Sequence, residues 1–169
     1  MKTIVAEALT REAFAPFGDV IETEGTESFL INNGKCRRFH DLAKVEAGGE
    51  NARVLINIFR GTPYPMPLTL SMVERHPLGS QAFMPTTPAP FLVVVCPDEA
   101  GRPGRPRAFL TAPGQGVNYA RGTWHGVLTP IGKEQDFVVV DRGGDGNNVE
   151  EHFFTEPYSI ALPETGNAS

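Results

Sequence analysis

The stretch "PLTLSMVERHPLGSQAFMPTTPAPFLVVVC", residues 67–96, decides the fold. It holds three short apolar runs, "PLTLSMV", "SQAFMP" and "PFLVVVC". Runs this short, rich in Val, Leu and Phe and bounded by turn formers, read as strands rather than helices. Pro77 and Gly79 break the first from the second, and "TTPAP" breaks the second from the third. The run Phe91–Cys96 has no polar alternation, so it reads as a central strand covered on both faces.

The same rhythm extends in both directions. "SFLI", "CRRFHDLAKV", "RVLINIFRG", "RAFLTAPG", "GVNYARGTWHGVL" and "DFVVVDRGG" alternate with turn signals such as Asn33-Gly34. Like "PFLVVVC", the run "DFVVVDR" predicts a strand covered on both sides. Gly (18) and Pro (15) leave little room for long helices. One short helix is expected from Thr10, ended by Pro16 and Gly18. Residues 100–108 read as a surface hairpin or loop and 163–169 as a frayed tail. With no repeat or linker, residues 1–169 read as a single all-β domain, a sandwich or barrel.

Composition excludes several function classes. Apolar residues make up 40% and charged residues 21%, a globular composition. The net charge of −5 argues against nucleic acid or an anionic membrane as partner. No signal peptide opens the sequence, and no apolar stretch nears the length of a membrane span. Cys36 and Cys96 form no disulfide framework, so a reducing cytoplasm is expected. A phosphate-binding Gly loop, a nucleophile elbow and a zinc-type cysteine pair are all missing.

Chemistry concentrates in two places. In an extended strand Glu74 and His76 share a face, with Arg75 opposite, and Gln81 opens the next strand. In "GVNYARGTWHGVL" Trp124 and His125 point to opposite sides, with Tyr119 and Arg121 upstream. Glu74, His76, Gln81 and His125 are expected to converge in one cavity, Tyr119 beside them. Arg38 and His40 share a face in "CRRFHDLA", and Arg grips a carboxylate bidentately. Arg142 follows Asp141 at the end of a buried strand, where a pocket or interface salt bridge is plausible; it is a second cation for an anionic substrate.

The spacing Glu74-x-His76-x4-Gln81, followed by Gly122-x2-His125, resembles the metal-ligand pattern of cupin barrels, with two substitutions. More specifically, the ordered set "INNG", "RRFHDLA", "ERHPLGSQAF", "GVNY", "WHG" and "VVDRGG" resembles the ureidoglycolate lyase family. The likeness runs from "EAFAPFGDVIE" to "DRGGDGNNVEE". It implies a cupin-like β-barrel (double-stranded β-helix, or jelly roll) with few short helices. It also implies a homodimer and cleavage of (S)-ureidoglycolate to glyoxylate and urea in allantoin degradation. The family often has His-His-Pro after the Trp; here the sequence reads His125-Gly126-Val127, so only His125 is carried over.

That chemistry suits the residues. Ureidoglycolate is a hemiaminal, so a base must take the hydroxyl proton while the leaving nitrogen gains one. Glu74, His76 and His125 are the catalytic candidates, with Arg38, His40, Gln81, Tyr119 and Arg142 binding substrate. A divalent metal is the other way to polarise the hydroxyl. His76, Gln81 and His125 would hold it, and nickel is associated with the family. The alternatives are a metal-dependent cupin enzyme of another class and a non-catalytic binding module for a small organic acid.

Overall fold

A computed structural model describes residues 1–164. It is almost entirely β, with one four-residue helix, Arg11–Phe14, among the described residues. Thr10 caps that helix, its Oγ1 accepting from the Ala13 N–H at 3.2 Å. The tail expected at 163–169 lies mostly outside the described residues. No helix of the described chain is long and apolar enough to cross a membrane.

Two sheets make the body. The larger runs, edge to edge, Lys2–Val5, Glu150–Ala161, Leu68–Arg75, Trp124–His125, Phe91–Cys96, Arg107–Leu110 and Glu7–Ala8. Its two edge strands are neighbours in the chain, so this sheet rolls into a nearly closed barrel. The smaller runs Gly18–Ile21, Gly116–Tyr119, Gln81–Pro85, Gln135–Gly143 and Arg53–Gly61. The hairpin Ser28–Ile31/Cys36–Phe39 pairs only with itself, turning through Asn32, Asn33 and Gly34, all at positive φ. The all-β, cupin-like expectation therefore holds.

Phe91–Cys96 is covered on both faces, as its sequence predicts. Phe91, Val93 and Val95 enter a core shared with Phe83, Val117, Tyr119, Phe137 and Val139 of the smaller sheet. Leu92, Val94 and Cys96 enter a second core with Leu70, Val73, Trp124 and Ile160. Burial lifts the Cys96 thiol to about 12, leaving it inert.

The second continuous run departs from expectation. Among the apolar residues of Gln135–Gly143 the inward Phe137 and Val139 are fully buried, while Val138 and Val140 are half-buried on the outer face. The run is apolar on both sides, but this chain covers the outer side only in part.

Phe137 anchors the first core, its ring edge-on to Phe91 at 5.0 Å and to Phe83 at 6.4 Å. Phe137→Ala is expected to lower unfolding free energy by roughly 3–5 kcal/mol. Phe153→Ala, at a residue 67% exposed, should change it by less than about 0.5 kcal/mol. Urea denaturation of both variants checks the contrast.

Candidate active site

The site lies between the sheets, where strand ends meet. Glu74 closes Leu68–Arg75 and pairs in register with His125; Tyr119 pairs with Gln81. Alternation then sorts the side chains. Glu74 and His125 face the cavity, while Arg75 and Trp124 face away. Arg75 donates to Glu150 at 2.6 Å and to Asp98 at 2.9 Å, and stacks 4.4 Å over the Trp124 ring. Trp124 Nε1 also donates to Asp98. The opposite orientations expected for both residue pairs are present.

The cavity, about 90 Å³, is lined by Glu74, Gln81, Tyr119 and His125 together with Phe59, Phe83 and Val127. His76 flanks them: its ring lies 5.2 Å from that of His125. His76 Nε2 is 3.1 Å from Gln81 Oε1 and 3.9 Å from Glu74 Oε1. Its Nδ1 sits 2.8 Å from the Asn148 carbonyl, which fixes that nitrogen as the N–H donor. In the neutral ring Nε2 then carries the lone pair and faces the Gln81 oxygen, two acceptors that need a proton or a cation between them.

His125 is arranged alike. Its Nδ1 lies 2.9 Å from the Gly126 carbonyl, and its ring stacks on Tyr119 at 4.2 Å, tilted by 2°. Its Nε2 is buried with no hydrogen-bond partner. Burial holds the imidazole down to about 3, against a smaller upward pull from the Gly126 carbonyl. His125 is thus neutral near pH 7, and its lone pair is better fitted to ligation or hydrogen-bond acceptance than to proton shuttling. Burial also raises the Tyr119 hydroxyl, so it stays protonated.

These groups fit a divalent ion. Glu74, His76 and His125 each offer a ligand atom, all within 4.8 Å of one another. The unpartnered Nε2 of His125 is what a missing bond would leave. Gln81 adds an amide oxygen whose direction is set from behind: its Nε2 donates to Asp141 at 3.3 Å, and Asn57 holds the other Asp141 oxygen at 3.0 Å. Asn57 and Asn148 were not anticipated. An amide inside the apolar strand "RVLINIFRG" is the one signal that could have found Asn57.

Three expected substrate contacts are not at this cavity. Arg142 faces the opposite side of its strand from Asp141. Its guanidinium is spent on the carbonyls of Gly48 (2.8 Å), Glu50 (3.5 Å) and Asp145 (2.6 Å), where it pins two loops. It is a structural residue, and no salt bridge joins it to Asp141. Arg38 lies on the exposed hairpin, 5.9 Å from the Phe29 ring, and His40 lines a separate cleft with Arg11 and Asp19.

The departure at Gly126 also has a structural reason. A Cβ there would meet Leu70 and Val94 at 3.3 Å, on the side of the second core. A side chain at 126 would point away from His125's cavity into packed aliphatics.

Fold and site together define an all-β, cupin-like protein with an acid, two imidazoles and an amide gathered in one pocket. The chain belongs to the ureidoglycolate lyase family, whose sequence profile matches residues 1–161. It is 76% identical to a ureidoglycolate lyase of Chelativorans sp., over 97% of this chain and 99% of that one. It is 64% identical to one from Mesorhizobium japonicum (96% and 100% covered) and 62% identical to ureidoglycolate lyase 2 of Rhizobium meliloti (90% and 93%). Among solved structures, a dTDP sugar isomerase from Desulfovibrio desulfuricans aligns over 81% of this chain and 85% of that one, with 15% identity and a TM-score of 0.46.

The buried His125 gives the site a pH signature. Its folded value is about 3 against 6.5 for the free side chain. Between those values the unfolded chain binds a proton that the folded chain does not. The stability contribution is therefore complete above pH 6.5 and is lost as pH falls. In chelator-treated protein, the stability gap between wild type and His125→Asn should shrink as pH drops from 6.5 to about 5, the slope approaching roughly 1.4 kcal/mol per unit. Urea midpoints across that range measure it; a constant gap would mean His125 is not held neutral.

Proposed function

We propose that this protein cleaves ureidoglycolate to glyoxylate and urea. Family membership and the names of its relatives support the substrate. The observation that carries the mechanism is Glu74 standing beside two imidazoles whose lone pairs point to one place.

The reaction is internally balanced. The hydroxyl O–H bond breaks and its electrons form the new C=O. The C–N bond breaks, its electron pair goes to the ureido nitrogen, and that nitrogen gains a proton. No water or electron is consumed. The hydroxyl oxygen and the leaving nitrogen sit on one carbon, so a single carboxylate can take the proton from one and return it to the other. Glu74 has that role. Tyr119, buried and protonated, can donate a hydrogen bond to substrate oxygen. Gln81, fixed by Asp141, can present only its oxygen toward His76.

We further propose a divalent ion, of which nickel is the leading candidate, held by His76, His125 and the Gln81 oxygen, with Glu74 beside it left free to act as the base. Imidazole nitrogens suit such a borderline ion. When bound, it would supply Lewis acidity at the substrate hydroxyl. A homodimer acting in allantoin breakdown in the cytoplasm completes the proposal. The half-covered outer sheet face favours the dimer, and the free thiols Cys36 and Cys96 suit a reducing compartment.

Incubation with ureidoglycolate should release urea and glyoxylate in equal amounts; ammonia in place of urea would remove the lyase assignment. Glu74→Gln should lower kcat by on the order of a hundredfold or more while the protein still binds nickel by calorimetry. His76→Asn and His125→Asn should lose both turnover and nickel binding. Unchanged nickel affinity in those two folded variants would exclude them as ligands.

A further inference from the structure

The cavity lacks a counter-charge for its substrate. Glu74 and, through Gln81, Asp141 give it two carboxylates, and among the described residues no Arg or Lys lines it. A divalent ion would only balance those two acids. The substrate's own carboxylate would still be buried without a cation, which is costly.

The molecule has one feature that answers this need. The edge strand Arg53–Gly61 borders the cavity through Asn57, which holds Asp141, and Phe59. Its other face is apolar and open: Val54, Ile56 and Ile58 are 53%, 78% and 61% exposed. The register carries the patch inward, Ile58 beside Val138 and Met84, Ile56 beside Val140. An apolar patch across three strands, beside an unpaired sheet edge, marks an interaction surface.

The hairpin Ser28–Ile31/Cys36–Phe39 is the complementary element. Among the described residues it pairs with no other strand, and a lone two-stranded hairpin is marginal in water. It exposes Phe29 and Leu30 alongside Arg37 and Arg38. Arg37 donates to Ser28 Oγ at 3.1 Å, whereas Arg38 has no ion pair or hydrogen bond among the described residues. Apolar hairpin meets apolar strand, and a free guanidinium meets an acidic cavity. A two-fold pairing satisfies both needs twice over.

We infer that the occupant of this face is a second copy of the chain, and that Arg38 of one subunit binds the substrate carboxylate in the other subunit's cavity. Neither site is complete in one subunit. The inference rests on the proposed reaction for its substrate, and on the sheet face and hairpin for its geometry.

Mixed dimers test it. Arg38→Ala should lower kcat/KM roughly ten- to a hundredfold, mainly through KM, and Glu74→Gln should be nearly inactive. A heterodimer of the two, isolated with two different affinity tags, would have one cavity with both an intact Glu74 and an intact Arg38 supplied across the interface. It should turn over at about half the wild-type rate per dimer, one site in two being whole. A heterodimer as slow as its parents, or an Arg38→Ala homodimer near wild type, overturns the inference. A second arm needs no activity. A photo-cross-linking residue at Phe29, in dimers mixed from isotopically light and heavy chains, should join light to heavy through peptides of Arg53–Gly61. Links confined to one chain, or none, overturn it. Wild-type protein that cross-links in trans but does not turn over ureidoglycolate would sink the reaction and leave the interface standing.

Discussion

The structure depends on one register. Glu74 sits directly across from His125, and Tyr119 across from Gln81. Side chains alternate along a strand, so a slip of one residue would put Trp124 where His125 stands and Arg75 where Glu74 stands. The apolar set enforces the register. Trp124 belongs to one core and Tyr119 to the other, each buried to within a few per cent. Packing energy thus places the polar groups, which could not select their own position at this burial. The stacked Tyr119 ring adds the last restraint, fixing the plane of His125 so that Nε2 faces His76 rather than solvent.

That arrangement explains an amide where cupin patterns place a carboxylate. Asp141 lies immediately behind residue 81 on the neighbouring strand and already accepts from Asn57. A carboxylate at 81 would face another at hydrogen-bond distance, and both could not stay ionised. Gln81 resolves the conflict by donating to Asp141 and offering its oxygen forward. The orientation of the amide is therefore dictated, not chosen between two near-equal flips. Asp141 acts on the site only through Gln81, as a positioning residue.

Much of this was legible in the sequence, for physical reasons that differ by element. Strand content followed from short apolar runs between turn formers, and the split of Trp124 from His125 followed from alternation. The helix at Thr10 showed itself by the breakers that end it, Pro16 and Gly18. What was hidden depended on long-range contact. Asn148 acts on His76 through its backbone carbonyl, which leaves no mark on residue type, while its side chain accepts from the Leu78 N–H. Arg142 read as a substrate cation because it follows Asp141 at the end of a buried strand. The folded loops instead present three carbonyls that absorb it. The run "DFVVVDR" gave the density of apolar residues correctly but could not say whose residues cover the outer face.

That last gap links assembly to chemistry. On Arg53–Gly61 the inward Asn57 steadies Asp141, and the outward Ile56 and Ile58 lie open. One strand is the back wall of the site and, in the pairing we propose, the ground for a partner. An edge strand with three exposed branched side chains is free to twist and fray, and any such motion moves Asn57. Looseness would pass through Asp141 to Gln81 and then to the direction of its oxygen at His76. Covering the outer face would stiffen the strand, and with it that wall of the cavity. An apolar face that would be a liability in a lone subunit becomes, in a pair, the support that keeps the amide aimed.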